Sequence, residues 1–415
     1  MTSIVLENAR VFDGVDMMGE GLSVHVVGDR IAEISDRPVM APDAERIDAR
    51  GCTLMPGLID LHVHAYASDV SAARINLAEA PYRTAHAARM LGHALDCGFT
   101  TVRDIGGGDW SLSRAIVDRL IRAPRYFYAG RMMSMTGGHG DMREMGESGH
   151  VSGYCRCDSM NALCVIADGV DECLKAAREE LRRGAHCIKI MGSGGVASPT
   201  DPIWMNQYSE EEIRAIVGEC TQRRTYVSAH CHPTSAIRRC VEFGVRCIEH
   251  GTLMDADTAE FVAERGAYVV PTLAIGVALK EAGPQLGLPP ASQEKLEAVF
   301  ERTLIGLGHM RQAGIKLGFG TDLLGETYLQ QCREFALRSQ VFSPLEILRQ
   351  ATSTSAEILM RAGELGCIQT GAYADLIVVD GDPLTNVSLL AMDGTKLSLI
   401  MRGGELVKQQ LPQAA

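Results

Sequence analysis

The stretch that decides the fold runs from Leu54 to His64 and reads LMPGLIDLHVH. It is a short apolar run that ends in His62-Val63-His64. Successive side chains of a strand point to opposite faces, so both imidazoles share one face and Val63 takes the other. An apolar strand that delivers two histidines to one point is a candidate floor for a metal site.

Working outward, the same kind of run recurs. A helix-like stretch ends at glycine, and a short β-rich run and a polar residue follow. The instances are DCG-FTTVRD, RRG-AHCIKI, EFG-VRCIEH, ERG-AYVVPT and QAG-IKLGFGTD, punctuated by Gly98, Gly184, Gly244, Gly266 and Gly314. A glycine just past a helix takes the left-handed conformation that ends it. RRTYVSAH keeps the strand but lacks the glycine, and LIDLHVH and RYFYAG bring the number of short apolar strands to eight. Between them lie helix starts. Ser209 with Glu212 predicts a capping box, and Ser343-Pro344 with Glu346 predicts another N-terminus. Strands this apolar must be covered on both faces. Eight such units predict an α/β fold, a (β/α)₈ TIM barrel. An open doubly wound sheet would carry a Gly-rich phosphate turn after its first strand, and none is present. Gly106 to Gly108 read as a loop.

The two ends of the chain read differently. SIVLENARVF, GLSVHVVGDRIAEI and ERIDARGCTLMPG at the start, and GAYADLIVVDGDPL and SLIMRGGELV at the close, alternate apolar and polar residues between turn signals. The expected division is residues 1–56 and 361–415 as two parts of a small β-sandwich domain, with the barrel over 57–360. A chain of 415 residues has room for both.

Composition narrows the function. A net charge of −12 argues against nucleic acid, whose phosphates need a basic surface. No run approaches the ~20 apolar residues of a membrane helix, and the start of the chain does not read as a signal peptide. The thirteen cysteines are scattered, which fits free thiols in a reducing cytoplasm. Cys155 and Cys157, with His150 and Cys164 nearby, are a lesser candidate for a structural zinc.

In a barrel the residue that closes each strand faces the active-site mouth. Here those residues are His62 and His64 on the first strand, His230 on the fifth, His250 on the sixth and Asp322 on the eighth. Imidazole and carboxylate are ligands for a borderline divalent metal, and five of them converge only if the barrel closes. Lys189, between Ile188 and Ile190 on the fourth strand, is the odd member. Desolvation and nearby positive charge lower a lysine pKa, and a neutral amine can add carbon dioxide to give an anionic, two-oxygened carbamate. The alternative is a lysine that snorkels or pairs with an acid.

These motifs resemble the amidohydrolase superfamily. LMPGLIDLHVH, the strand lysine in IKIMGSGG, His230, IEHG, GFGTD and GAYADLIVVDGDPL carry the resemblance over nearly the whole chain. TTVRD, TGGHGD, IKIMGSGGVASPTDP and FGTDLLGE resemble its imidazolonepropionase-related branch of bacterial Xaa-Pro dipeptidases, carboxypeptidases and enzymes that hydrolyse ochratoxin A. The resemblance implies two divalent ions, with Zn²⁺ expected. His62, His64 and Asp322 would hold the more buried ion, and His230 and His250 the other. N6-carboxylated Lys189 would lie between them, and Asp322 would act as general base and then acid. His139, in TGGHG after the third strand, is the candidate to stabilise the oxyanion; the alternative is a loop histidine free in solvent.

His232 departs from the dipeptidase pattern, where a tyrosine tends to stand two residues after the fifth-strand histidine. It is the candidate contact for the substrate carboxylate. The expected substrate is therefore an N-acyl amino acid or dipeptide with a free carboxylate, in the manner of ochratoxin hydrolysis that releases Phe, with Xaa-Pro cleavage as the alternative. One-metal cyclic-amide or deaminase chemistry, and a noncatalytic scaffold, are the remaining readings. The resemblance also implies a homo-oligomer, with an octamer among the candidates. Residues 131–170 and the P-P-A-S stretch near Pro290 are the expected lids.

Overall fold

The computed structural model describes residues 2–143, 145–146 and 163–413. The chain is an α/β protein. Its terminal segments share one mixed sheet, in which the first strand, Ser3–Phe12, pairs with Met17–Val27 antiparallel and with Glu45–Asp48 and Thr53–Pro56 parallel. Leu376–Val379 joins this sheet against Thr53–Pro56, and Leu397–Arg402 and Glu405–Gln409 extend it. Its core is aliphatic, with Ile4, Leu6, Val24, Leu54, Leu376 and Leu399 at 0–1% exposure.

The middle of the chain is parallel. One sheet runs Leu58–Val63, Phe99–Asp104, Arg125–Tyr128. A second orders Cys164–Ile166, Met132–Ser134, Ile188–Met191, Val227–Pro233, Cys247–Leu253 and Tyr268–Val270. Backbone hydrogen bonds join their margins. On one side His186 N donates to Tyr128 O (2.8 Å). On the other, Gly318 N donates to Val269 O (2.9 Å) and Leu61 N to Phe319 O (2.8 Å).

Local signals explain these elements. Gly98, Gly184, Gly244, Gly266 and Gly314 all have positive φ at the ends of helices or just past them. Where RRTYVSAH lacks the glycine, Arg224 itself takes the left-handed conformation (φ +53°). The expected capping box forms at Ser209–Glu212, and the expected helix start at Ser343 carries one as well, with Glu346.

Three readings need correction. The eighth run, IKLGFGTD, is not a regular strand and makes a single parallel bridge, Val269↔Leu317. A Cβ at Gly320 would lie 2.5 Å from Val270 Cγ1 and 2.9 Å from His62 Cβ, so this segment passes too close to its neighbours for side chains. The third run is interrupted at Gly130 (φ +74°) and resumes as Met132–Ser134. Pro290 begins the helix Pro290–Gln312 rather than sitting in a lid loop. Cys155, Cys157 and His150 lie outside the described residues; Cys164 is buried in its strand. Among the described residues no helix is long and apolar enough to cross a membrane.

Candidate active site

His62 and His64 stand at the end of Leu58–Val63. His62 Nδ1 lies 2.8 Å from Glu249 Oε2, and His64 Nδ1 lies 3.0 Å from the Gly106 carbonyl. Glu249 is fully buried, which alone would raise its pKa. Arg103, 2.6 Å away, and His62 hold it well below the ordinary range instead, and Ser228 also donates to it. A carboxylate and a carbonyl only accept, so both Nδ1 atoms carry a proton, and in the neutral rings both Nε2 atoms present lone pairs.

Those lone pairs face each other and a carboxylate. His62 Nε2 and His64 Nε2 are 3.3 Å apart, and Asp322 Oδ1 is 3.3 Å and 3.1 Å from them. Burial would raise the Asp322 pKa, but His62 and His64 hold it well below the usual range. With the rings neutral these are three acceptors converging in a buried place, which repel one another unless a proton or a metal cation sits among them. Ligands about 2.0–2.1 Å from a tetrahedral zinc lie roughly 3.3 Å apart, so the spacing suits such an ion. The cluster is also braced. Asp322 N donates to His62 O (2.8 Å), and Asp60 accepts from His62 N, Thr321 and Gln331 at 2.7–3.0 Å. Asp322 (φ +58°) and His250 (φ +68°) both occupy the left-handed region, a strain that persists only where the surroundings enforce it.

Lys189 is 1% exposed, so it does not snorkel, and it makes no ion pair among the described residues. Burial draws its pKa down, with Glu249 and Asp322 acting the other way. His230 Nε2 is 3.3 Å from the Gly194 carbonyl, which leaves Nδ1 as the lone pair. His250 Nδ1 is 2.8 Å from Thr272 Oγ1. Burial and the neighbouring imidazoles pull both histidines well below the ordinary range, so both rings are neutral and suited to a metal. The His250 ring centroid lies 5.0 Å from that of His62 and 4.7 Å from that of His230. All six predicted ligand residues line one cavity.

His139 is buried, not free in solvent, and stacks on His230 at 4.2 Å between centroids. Its Nδ1 is 2.7 Å from Ser198 Oγ and 3.4 Å from Asp201 Oδ2. Ser198 gives its one proton to Asp201, so it must accept from His139 Nδ1. Although buried, Asp201 is held below the usual carboxylate range by His139 and Ser198. Lys295 ties this loop to helix Pro290–Gln312, donating to the carbonyls of Gly195, Ser198 and Asp201 at 2.6–3.1 Å. A Cβ at Gly195 would lie 2.2 Å from the His139 ring. His232 packs against His230 and His250, its Nδ1 2.6 Å from Thr252 Oγ1. Burial pulls its pKa down to about 3, so it meets a ligand as a neutral ring rather than a cation.

The cavity measures about 640 Å³. Beyond its polar floor the walls are mostly apolar, including Val70, Met132, Leu279, Val299 and Phe300, with Lys280 and Glu301 also on the lining. Sequence reading missed Glu249, Arg103, Ser198, Asp201 and Lys295. Four of them lie in motifs that carried the resemblance, Glu249 in IEHG, Arg103 in TTVRD, and Ser198 and Asp201 in IKIMGSGGVASPTDP, but the motifs give no pairing.

This arrangement and fold are those of a hydrolase acting on amide or peptide bonds. Residues 53–407 match the Amidohydrolase family, and the chain belongs to it; that family is generally metal-dependent. The chain is 32% identical over 371 residues to the ochratoxinase of Aspergillus niger, covering 86% of this chain and 75% of that protein. The crystal structure of A. niger ochratoxinase superposes with a TM-score of 0.87 at 28% identity, over 98% of this chain and 96% of that one. A prolidase complexed with N-methylphosphonate-L-proline is 44% identical, with a TM-score of 0.94 over 99% of this chain and 100% of that one. A Xaa-Pro dipeptidase with methionine bound in its active site is 27% identical, with a TM-score of 0.87 over 98% of this chain and all of the other.

Proposed function

We propose that this chain is a binuclear metal-dependent amidohydrolase that releases an amino acid with a free carboxylate from an N-acyl amino acid or dipeptide. The carrying observation is the convergence of His62 Nε2, His64 Nε2 and Asp322 Oδ1 to 3.1–3.3 Å on the floor of an apolar cavity. In this reading His62, His64 and Asp322 hold one divalent ion and His230 and His250 the other, with carboxylated Lys189 between them. Zn²⁺ suits that nitrogen and oxygen donor set. Such a pair of ions, when bound, acidifies a water and polarises the scissile carbonyl.

The chain's own residues supply the rest. Asp322, held as a carboxylate, takes the proton of the attacking water and passes it to the leaving nitrogen. His139 donates to the oxyanion from Nε2. Its Nδ1 proton is committed to Ser198, so donation from Nε2 requires a proton on both ring nitrogens. His232, a neutral ring beside the metal histidines, hydrogen-bonds the substrate carboxylate. The apolar walls take a bulky acyl group, as in ochratoxin A, with Phe as the leaving residue. A second reading, Xaa-Pro dipeptidase, is favoured by the 44% identity to the prolidase.

The fold belongs to the same proposal. Hydrogen bonds at both margins of the parallel sheets support one (β/α)₈ barrel over residues 57–360, with 1–56 and 361–415 forming a small β-sandwich domain. Free described thiols fit a reducing cytoplasm. Val117 and Leu120, exposed at 68% and 78%, offer an apolar face for a homo-oligomer, which mass measurement in solution tests.

A screen of ochratoxin A, N-acyl-phenylalanines, Xaa-Phe and Xaa-Pro dipeptides, with metal content measured on the same sample, tests the proposal. Two ions in the histidine cluster and fastest release of Phe are expected. Fastest cleavage of Xaa-Pro would transfer the assignment to the second reading. Full activity with a single ion, or metal-loaded protein inert across the panel, would overturn both.

A further inference from the structure

A second group of metal-ligating side chains lies away from the cavity, at the opposite ends of the strands. His93 and Cys97 stand four residues apart at the end of helix Ala80–Asp96, with Cys97 its C-cap, so they share a face. Cys97 Sγ is 3.5 Å from His93 Nε2. Cys332 is the N-cap of helix Arg333–Arg338. Asp393 comes from the turn before the strand Leu397–Arg402. Both sulfurs and an Asp393 carboxylate oxygen lie within 4.8 Å of one another.

The group is built rather than incidental. A Cβ at Gly394 (φ +72°) would lie 2.1 Å from Asp96 O and 3.2 Å from Cys97 Cα, so only glycine lets the turn bearing Asp393 press onto the helix end. Cys97 and Cys332 are 2% and 0% exposed, while Asp393 reaches solvent and leaves a path for an ion. Cys231 and Cys240 give a contrast. Their sulfurs are 3.6 Å apart and buried, yet no third ligand residue joins them among the described residues.

We propose that His93, Cys97, Cys332 and Asp393 form a site for a thiophilic divalent cation of the zinc class, separate from the histidine cluster. Cys97, Cys332 and Asp393 supply three of the ligands of a structural zinc set, and the His93 imidazole, 3.5 Å from Cys97 Sγ, stands beside them as the fourth. Each thiol gives its proton to solvent on binding. The bound ion joins residues far apart in sequence and fixes the C-terminal turn to the first half of the chain.

Cobalt substitution of the full-length protein tests this. The histidine cluster contains no sulfur, so a near-ultraviolet sulfur-to-cobalt charge-transfer band reports the cysteine site alone, whatever the outcome of the substrate screen. The band is expected in Co²⁺-loaded wild-type protein. It should vanish in Cys332→Ser, together with one equivalent of bound Zn²⁺. Asp393→Asn, at an exposed position, should keep the fold and lower Co²⁺ affinity at least tenfold, and it carries the test if Cys332→Ser does not fold. Equal metal content in wild type and Cys332→Ser, absence of the band, unchanged affinity in Asp393→Asn, or a Cys97–Cys332 disulfide found by mass spectrometry in fresh protein would each overturn the proposal.

Discussion

The α/β middle and the terminal sheet are both well packed, but they bury different things. The terminal sheet closes over aliphatic side chains, and its buried polar residues are few, Thr53 and Asp375 among them. The middle buries Asp60, Arg103, Asp104, Lys189, Glu249, Glu334 and Arg338, all at 1% exposure or less. A buried charge is costly unless it is paired and hydrogen-bonded. Here most are partnered, with Arg103 on Glu249 and Arg338 on Glu334. The difference shows where this chain gives up stability for chemistry: along the strands that lead to the cavity and the helix Arg333–Arg338, and not in the sheet made by its ends.

That contrast can be broken or sharpened by substitution. Asp322→Asn removes the proton acceptor but not the shape. It is expected to lower kcat by about 10²–10⁴-fold with unchanged circular dichroism, and near wild-type turnover would remove Asp322 from the proton path. Glu249→Gln touches both sides of the contrast. It leaves the Arg103 guanidinium without its carboxylate, costing about 3–5 kcal/mol in denaturant unfolding. It also loosens the orientation of His62, with metal affinity falling roughly 10–100-fold. If affinity holds while stability falls, Glu249 is purely structural. Leu376→Ala in the terminal sheet should cost about 2–5 kcal/mol of stability and leave kcat unchanged, since Leu376 packs only in the aliphatic core; a parallel loss of kcat would dissolve the distinction. Gly195→Ala is the mildest. Its new methyl meets His139, and kcat should fall by up to about 10²-fold while bound metal, measured by mass spectrometry, stays the same. Loss of metal instead would place the effect on His230, on which His139 stacks.

Much of this was legible in the sequence because the site is made of strand ends. Strand alternation set His62 and His64 on one face, and glycines marked where five of the strands begin, so the histidines and Asp322 were readable as strand ends, whereas Lys189 rested more on the resemblance than on spacing. IKLGFGTD was misread as a regular strand because its glycines, needed for close passage beside His62 and Val270, also look like ordinary punctuation. The partners of the ligands were not legible. Arg103 and Glu249 are 146 residues apart, and TTVRD and IEHG, the motifs that hold them, do not say that the two pair. Ser198 and Asp201 become partners of His139, and Lys295 of their loop, only when that loop folds over the imidazole. The Cys97, Cys332 and Asp393 group was hidden for the same reason, since no spacing connects residues brought together by three separate elements.

The most direct test of the central claim is turnover of the best substrate of the screen by one sample before metal removal, after it, and after return of Zn²⁺. The account predicts that activity disappears with the ions and returns with them, and that Lys189→Ala regains neither full metal content nor turnover. Undiminished hydrolysis by metal-free protein would contradict it.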